Sequence, residues 1–485
     1  MQRRSDEGGA VSNQHSAAHA GLPIVVDADT TVWRRSLLLL AICAGLKSSL
    51  TNAFRIAAWS LVGRRHLEHK LVEAGAASNL TLAWDPRVAA IVEQAAMQGR
   101  SVHLLAPAAS PLLQEVASRQ PAIAGVIGPK ARAGARGMSF LQTLAGWFPQ
   151  GFDLVTGGRR LDVERYGAAG PVADAPATAG LAGGAANWTP VASLMRELAS
   201  SLRPHQCVKN FIVFVPLLLG GRLTDLAETL NTFIAFIALT CIASGTYLFN
   251  DIWDVAEDRK HWSKRDRPIA AGRLAPATAL VAGLVCIGAG VALGLLVSGR
   301  TGAMLLLYLA ITVAYTLRLK AVAFVDGLAL ASLFTVRLGI GAVAADVPPS
   351  PWLFVFSMFL FASLSYAKRH TEIVKAARQS NEANVRGYRI ADAPMMLAVG
   401  LSTGVGAVMI MVLYIVEEAF RNSFYGSTGW LWGFPPLVFL FVVRVWLLSV
   451  RGEMNDDPVA FAIRDRTSIA LAALLMLCFG FAWLG

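Results

Sequence analysis

The feature that most constrains this chain is a series of apolar segments near residues 209–221, 230–250, 277–298, 301–317, 323–345, 351–367, 394–415, 430–450 and 467–485. Most are close to the roughly 20 residues that an α-helix needs to cross the hydrocarbon core. They predict an all-α transmembrane bundle of nine helices over residues 190–485. A mean hydropathy of +0.51 agrees with a membrane protein. The net charge of +11 could suggest nucleic acid, but the basic residues gather in short loops between apolar segments, as orientation in a bilayer requires. Loops 251–273, 318–320, 368–389 and 451–466 hold roughly seventeen Lys and Arg, against about three in the opposite set. These four loops and the N-terminal region are therefore expected in the cytoplasm, with the C-terminus across the membrane. Cys43, Cys207, Cys241, Cys286 and Cys478 show no paired spacing, so no disulfide or zinc site is expected.

Charge interrupts the apolar pattern at informative places. Asn250 opens a stretch in which Asp251, Asp254 and Asp258 fall at i, i+3 and i+7, one face of a helix. Three stacked carboxylates repel one another and call for a hard cation such as Mg2+, shared with phosphate oxygens. Lys264, Arg265 and Arg267 follow, as a diphosphate would require. Within the fifth segment Asp326 and Arg337 lie three helical turns apart, so both are expected to line a cavity. Arg444 either joins them or snorkels to the interface, and Pro435-Pro436 implies a kink or a late helix start. The loop after the sixth segment carries Lys368, Arg369, Arg386 and Tyr388 without a pair of aspartates. One acidic and one basic loop suit a donor diphosphate on Mg2+ beside a second anionic group.

The pattern N-D-x-x-D-x-x-x-D with K-R-x-R-P-I-A-A-G resembles the first aspartate-rich motif of the UbiA superfamily of intramembrane prenyltransferases, whose helix arrangement is also similar. Members usually carry a second D-x-x-x-D motif after the sixth span, and this chain does not. That departure resembles the decaprenyl-phosphate phosphoribosyltransferase branch, which moves ribose 5-phosphate from phosphoribosyl diphosphate to a polyprenyl phosphate. Similar stretches are Leu202-Arg203-Pro204-His205-Gln206-Cys207-Val208-Lys209-Asn210, Lys368-Arg369 with Glu372, Arg386-Gly387-Tyr388, and Asp457-Pro458-Val459 with Asp465-Arg466. Cys207 departs from that branch, which more often has an aromatic residue there.

The resemblance implies Mg2+ on Asp251, Asp254 and Asp258, Asn250 orienting the donor, and Lys264, Arg265 and Arg267 on its diphosphate. Substrate contacts would include Lys209, Asn210, Asp326, Arg337, Lys368, Arg369, Arg386 and Tyr388. The implied partners are membrane lipids, a polyprenyl phosphate or diphosphate and phosphoribosyl diphosphate, with no nucleic acid. The implied location is the cell inner (plasma) membrane. Two alternatives stand: an ordinary polyprenyl diphosphate transferase acting on an aromatic or other small acceptor, and a lipid-phosphate transporter without chemistry. The transporter would explain Arg337 but not the three-aspartate face.

Ahead of the apolar series, residues 1–20 are expected to be a disordered leader without a secretory signal. Residues 21–175 alternate short β-rich runs with helical stretches, which predicts a soluble α/β domain. Residues 176–189 continue a Gly-, Ala- and Pro-rich linker. The run ending in Asp27-Ala28-Asp29-Thr30-Thr31 resembles the first motif of haloacid dehalogenase-type phosphatases. The resemblance makes Asp27 the nucleophile, Asp29 the general acid/base and Lys130 the motif lysine. The phosphate-holding hydroxyl falls on Ala106, and the metal-holding acids fall on Thr156-Gly157-Gly158-Arg159-Arg160-Leu161, with Asp162 one position out of register. It thus implies a degenerate domain acting as scaffold or ligand sensor.

Overall fold

The computed structural model describes residues 22–28, 34–48, 51–78, 80, 86–105, 110–127, 144, 146–157, 161–167, 170–171, 190–261, 264–378, 387–421, 424–454, 461–462 and 465–484. Asp29, Ala106, Lys130, Arg386, the leader at 1–20, the linker at 176–189 and the stretch Asp457-Pro458-Val459 lie outside them. The chain divides into two compact units, residues 1–202 with 248–282, and residues 203–247 with 283–485.

The first unit is built on a six-stranded sheet of order β3-β2-β1-β4-β5-β6. Its strands are β1 (Ile24–Asp27), β2 (Val102–Leu105), β3 (Ile123–Ile127), β4 (Phe152–Gly157), β5 (Leu161–Gly167) and β6 (Gly170–Pro171). β1 runs parallel to both β2 and β4, with Ile24 opposite Val102 on one side and Asp153 on the other. Val25 and Val26 are fully buried, as a β-branched run between parallel neighbours requires. β5 and β6 add an antiparallel edge. Asp27 is the last residue of β1, the strand end at which open α/β sheets gather their sites. Helices α1 (Arg34–Ser48), α2 (Asn52–Val62), α3 (Arg64–Glu73), α4 (Pro86–Met97), α5 (Pro111–Ser118) and α6 (Pro190–Ser201) accompany the sheet. α5 shows how locally these helices are specified. Ser110 caps it by accepting from Leu113 N at 3.3 Å, and Pro111 occupies the first turn, where no amide hydrogen is needed. The Ser110 hydroxyl also donates to the buried Glu68 carboxylate of α3 at 2.6 Å, tying the two helices together.

The remaining helices are α7 (Leu226–Trp253), α8 (Val255–Lys260), α9 (Pro276–Val297), α10 (Gly299–Leu317), α11 (Val325–Ala344), α12 (Pro351–Arg378), α13 (Ala393–Glu417), α14 (Phe434–Arg451) and α15 (Arg466–Leu484). All but α8 are long and apolar enough to cross a membrane, giving eight candidate spans among the described residues rather than the expected nine. The missing one is the first. Residues Pro204–Phe214 wind as a 3-10 helix, and only Val215–Leu219 closes into α-helical turns. Pro204 and Pro216 each remove a backbone donor, and Gly221, at φ +68°, ends the segment before it reaches spanning length. α14 begins late, as the two prolines imply: a 3-10 turn at Thr428–Gly433 precedes it and Pro435 sits in its first turn.

Small residues let these helices approach closely. A Cβ on Gly341 of α11 would run into the Val213 carbonyl oxygen, so only glycine admits the 3-10 segment there. One apolar core collects Val213, Ala238, Leu239, Leu305, Tyr308 and Ile340. A second is formed around Tyr366, Tyr388, Val442, Val445 and Trp446.

Candidate functional site

The acidic stretch begins inside α7. That helix ends at Trp253, Asp254 adopts φ −95° and ψ 8°, and α8 resumes at Val255. Helical hydrogen bonds from Asp254 N to Asn250 O (2.9 Å) and from Asp258 N to Asp254 O (2.8 Å) carry the winding across the break. Asp251 and Asp258 therefore converge, their side chains 3% and 5% exposed, and one Arg267 nitrogen donates to both, at 3.1 and 2.6 Å. Burial raises the pKa of Asp258, and the Arg267 charge works against that rise. Asp254 has a different neighbour: its carboxylate lies 3.9 Å from the Lys47 ammonium of α1, which also binds Glu257 at 2.7 Å. Among the contacts of the described residues, Asp251 and Asp258 thus share Arg267 while Asp254 lies near Lys47.

The basic segment is fixed chiefly through its backbone. Arg267 N donates to Lys264 O at 3.0 Å, Ala271 N to Arg267 O at 2.8 Å and Arg273 N to Pro268 O at 2.8 Å, with Gly272 supplying the left-handed turn at φ +74°. Arg259 reaches back to the Ala270 carbonyl at 3.1 Å. Pro268, Ile269 and Ala270 are buried beneath, Lys264 is partly exposed and Arg265 is exposed. A pre-shaped loop of this kind can present cations to an anion without reorganising.

Among the described residues no three His, Cys, Asp or Glu side chains form a group that could hold a metal ion. That geometry still fits Mg2+, which usually takes one or two protein carboxylates and completes its octahedron with water and substrate phosphates. Asp251 and Asp258, both buried and already sharing one cation, are the donor pair that chemistry favours.

Two further networks lie in the second unit. Asp326 is fully buried; it receives Arg369 Nε on one oxygen and the Tyr388 hydroxyl on the other. Arg369 also donates to Glu372 at 2.7 Å and to the Tyr315 hydroxyl at 3.3 Å, while Phe324 N donates to the Tyr388 hydroxyl at 2.7 Å. Arg337, 5% exposed, donates to Asn210 Oδ1 (3.0 Å), Leu333 O (2.9 Å) and the Tyr308 hydroxyl (2.9 Å). Its guanidinium lies 4.9 Å from the Phe334 ring centroid and 5.0 Å from that of Tyr308. Asn210 in turn donates to Thr240 at 3.0 Å. Arg444 makes a two-pronged pair with Asp465, at 2.8 and 2.7 Å. Asp465 also accepts from Ser468 N at 2.9 Å as the cap of α15, and the Arg444 bond holds its pKa well below the usual carboxylate range.

Asp326 and Arg337 therefore do not meet each other; each anchors its own buried cluster, with Arg369 and Tyr388 in the first and Asn210 in the second. Lys209 and Lys368 are only partly exposed. Nothing in the sequence singles out Lys47 or Glu257, because a lysine closing an apolar helix reads as a solvated end. Tyr308 carried a weak signal: a hydroxyl within an apolar segment needs a buried partner.

Among known proteins, the UbiA prenyltransferase family matches residues 211–463. An uncharacterized protein of Sinorhizobium fredii, y4nM, is 31% identical over 474 residues, covering 94% of this chain and 90% of its own. The nodulation protein NoeC of Azorhizobium caulinodans is 31% identical over 293 residues, 58% of this chain and 91% of its own. The decaprenyl-phosphate phosphoribosyltransferase of Mycobacterium tuberculosis is likewise 31% identical over 293 residues, 58% of this chain and 93% of its own. A match over more than half the chain, falling on the helices and the acidic and basic stretches just described, makes this multi-pass transferase a member of the UbiA prenyltransferase family.

Proposed function

We propose that the chain transfers a 5-phosphoribosyl group from phosphoribosyl diphosphate to a polyprenyl phosphate. The observation that carries this reading is the basic segment at the end of α12. Lys368 stands there with no pair of aspartates, and the nearby acid, Glu372, is engaged by Arg369. A prenyl diphosphate in this family would want a second acidic motif, whereas the 5-phosphate of a ribose suits cations. The similarity to a decaprenyl-phosphate phosphoribosyltransferase over 93% of that protein supports the same reading.

In this account Asp251 and Asp258 would hold Mg2+, with Asp254 adding negative charge to the site, and the bound ion would offset the charge that builds on the departing diphosphate. Asn250 orients the donor, and Lys264, Arg265 and Arg267 bind its diphosphate. Lys368 and Arg386 take the 5-phosphate. The acceptor phosphate is already an anion, so its attack needs no strong general base. The chain would sit in the inner membrane, with residues 21–175 as a cytoplasmic, haloacid dehalogenase-like domain that has lost its phosphatase chemistry, ahead of a transferase domain at 190–485. The alternative, prenyl transfer to a small acceptor, rests on the family name.

Purified chain in lipid nanodiscs should release diphosphate from phosphoribosyl diphosphate only when polyprenyl phosphate and Mg2+ are both supplied. Release from a polyprenyl diphosphate instead, stimulated by a small aromatic acceptor, would replace this reading with the alternative.

A further inference from the structure

We infer that Lys47, which lies outside the region matched by the family, is a positioning residue of the donor site: it holds Asp254 and Glu257 while the site is empty and turns to the donor's diphosphate when the site fills. The inference rests on the transferase reading above and assigns one more residue to the same site.

α1 is built to place this lysine. Leu37, Leu40, Ala41 and Cys43 are buried along it, and Lys47 stands in its last turn. A cation at a helix C-terminus would ordinarily settle near the last carbonyls. Lys47 instead reaches a segment more than two hundred residues away, 2.7 Å from Glu257, 3.9 Å from Asp254 and 5.8 Å from the centre of the Trp253 ring. All three partners flank the break between α7 and α8 that separates Asp254 from the other two acids. A second long-range pair fastens the far end of the same loop, where Arg273 donates to Glu197 of α6 at 3.0 Å. The chain ahead of the membrane helices thus grips the acidic-basic loop at both ends.

Stability does not explain the Lys47 contact. Glu257 is 64% exposed and Lys47 27%, and pairs so open to water add little to folding. Electrostatics give the contact a function instead. An ammonium this near Asp254 competes with any divalent cation approaching the carboxylates, and the same ammonium is attracted once a diphosphate brings negative charge to the site. Lys47 should therefore weaken the binding of metal alone and strengthen the binding of metal with diphosphate.

Full-length chain in nanodiscs, titrated with Mn2+ and read by the paramagnetic resonance of free Mn2+, separates these effects. Lys47→Ala should bind Mn2+ alone about threefold to tenfold more tightly. It should bind Mn2+ with inorganic diphosphate about tenfold more weakly, and Lys47→Arg should stay within about twofold of wild type in both. A merely structural lysine would move both affinities the same way or neither, and either result in Lys47→Ala overturns the inference while leaving the transferase reading intact. A wild-type chain that binds neither Mn2+ nor its diphosphate complex overturns the inference together with the metal assignment beneath it.

Discussion

Lys368 and Arg369 are adjacent in sequence and have opposite surroundings. Arg369 is 1% exposed and spans Asp326 and Glu372, whereas Lys368 is partly exposed on the same helix. Both were reasonable candidates for an anionic substrate, but only Lys368 has the access that substrate binding needs. Arg369→Glu sets two acids against a third inside a buried cluster, and Asp326→Asn removes the charge that balances the guanidinium. Each should cost about 3–5 kcal/mol, visible as a lowered unfolding temperature in detergent before any assay is run. Lys368→Glu should leave that temperature unchanged and raise the KM for phosphoribosyl diphosphate through a loss of about 1.5–3 kcal/mol. Unchanged stability in Arg369→Glu would contradict the buried-pair account. An unchanged KM in Lys368→Glu would remove that lysine from the donor site.

At the scale of elements, hydrophobic length and charge spacing made most of the membrane half legible, and the failures have local causes. The segment at 209–221 is apolar enough to be read as a span, but Pro216 and Gly221 keep it from closing into a spanning α-helix, and its close packing of Val213 against Gly341 has no local sequence signal. Gly341→Ala should therefore lower stability by about 1–3 kcal/mol through overpacking, since the atom it meets is backbone and cannot turn aside. A mutant as stable as wild type in thermal unfolding would contradict this close packing. The i, i+3, i+7 spacing placed Asp251 and Asp258 together, yet the break at Asp254 could not be read from it. In the first unit β1, β2 and β4 are visible as apolar runs, whereas β5, with Asp162, Glu164 and Arg165 in Leu161–Gly167, looks like a loop. α1 offers a test of its own. Burial pushes the Cys43 thiol up to about 11, so it stays protonated through neutral pH. Maleimide at pH 7 should leave it unmodified until the domain is unfolded; rapid labelling of native protein would contradict its burial.

At the scale of the whole molecule, the proposed reaction is a diphosphate-displacing transfer that depends on the acidic loop and takes its donor group from a sugar rather than from a lipid. The long-range contacts of Lys47 and Glu197 could not be read from any local pattern, yet they bring the N-terminal half to that loop. The most direct measurement supplies ribose-labelled phosphoribosyl diphosphate, Mg2+ and polyprenyl phosphate to wild-type and Asp254→Asn chains in nanodiscs and counts label in the extracted lipid. Label should appear in wild-type lipid, none above background when the metal is chelated, and at least a hundredfold less in Asp254→Asn, about 2.7 kcal/mol of transition-state stabilisation. Unlabelled lipid from a wild-type chain that, given a polyprenyl diphosphate and a small acceptor instead, transfers a prenyl group would contradict the proposed reaction.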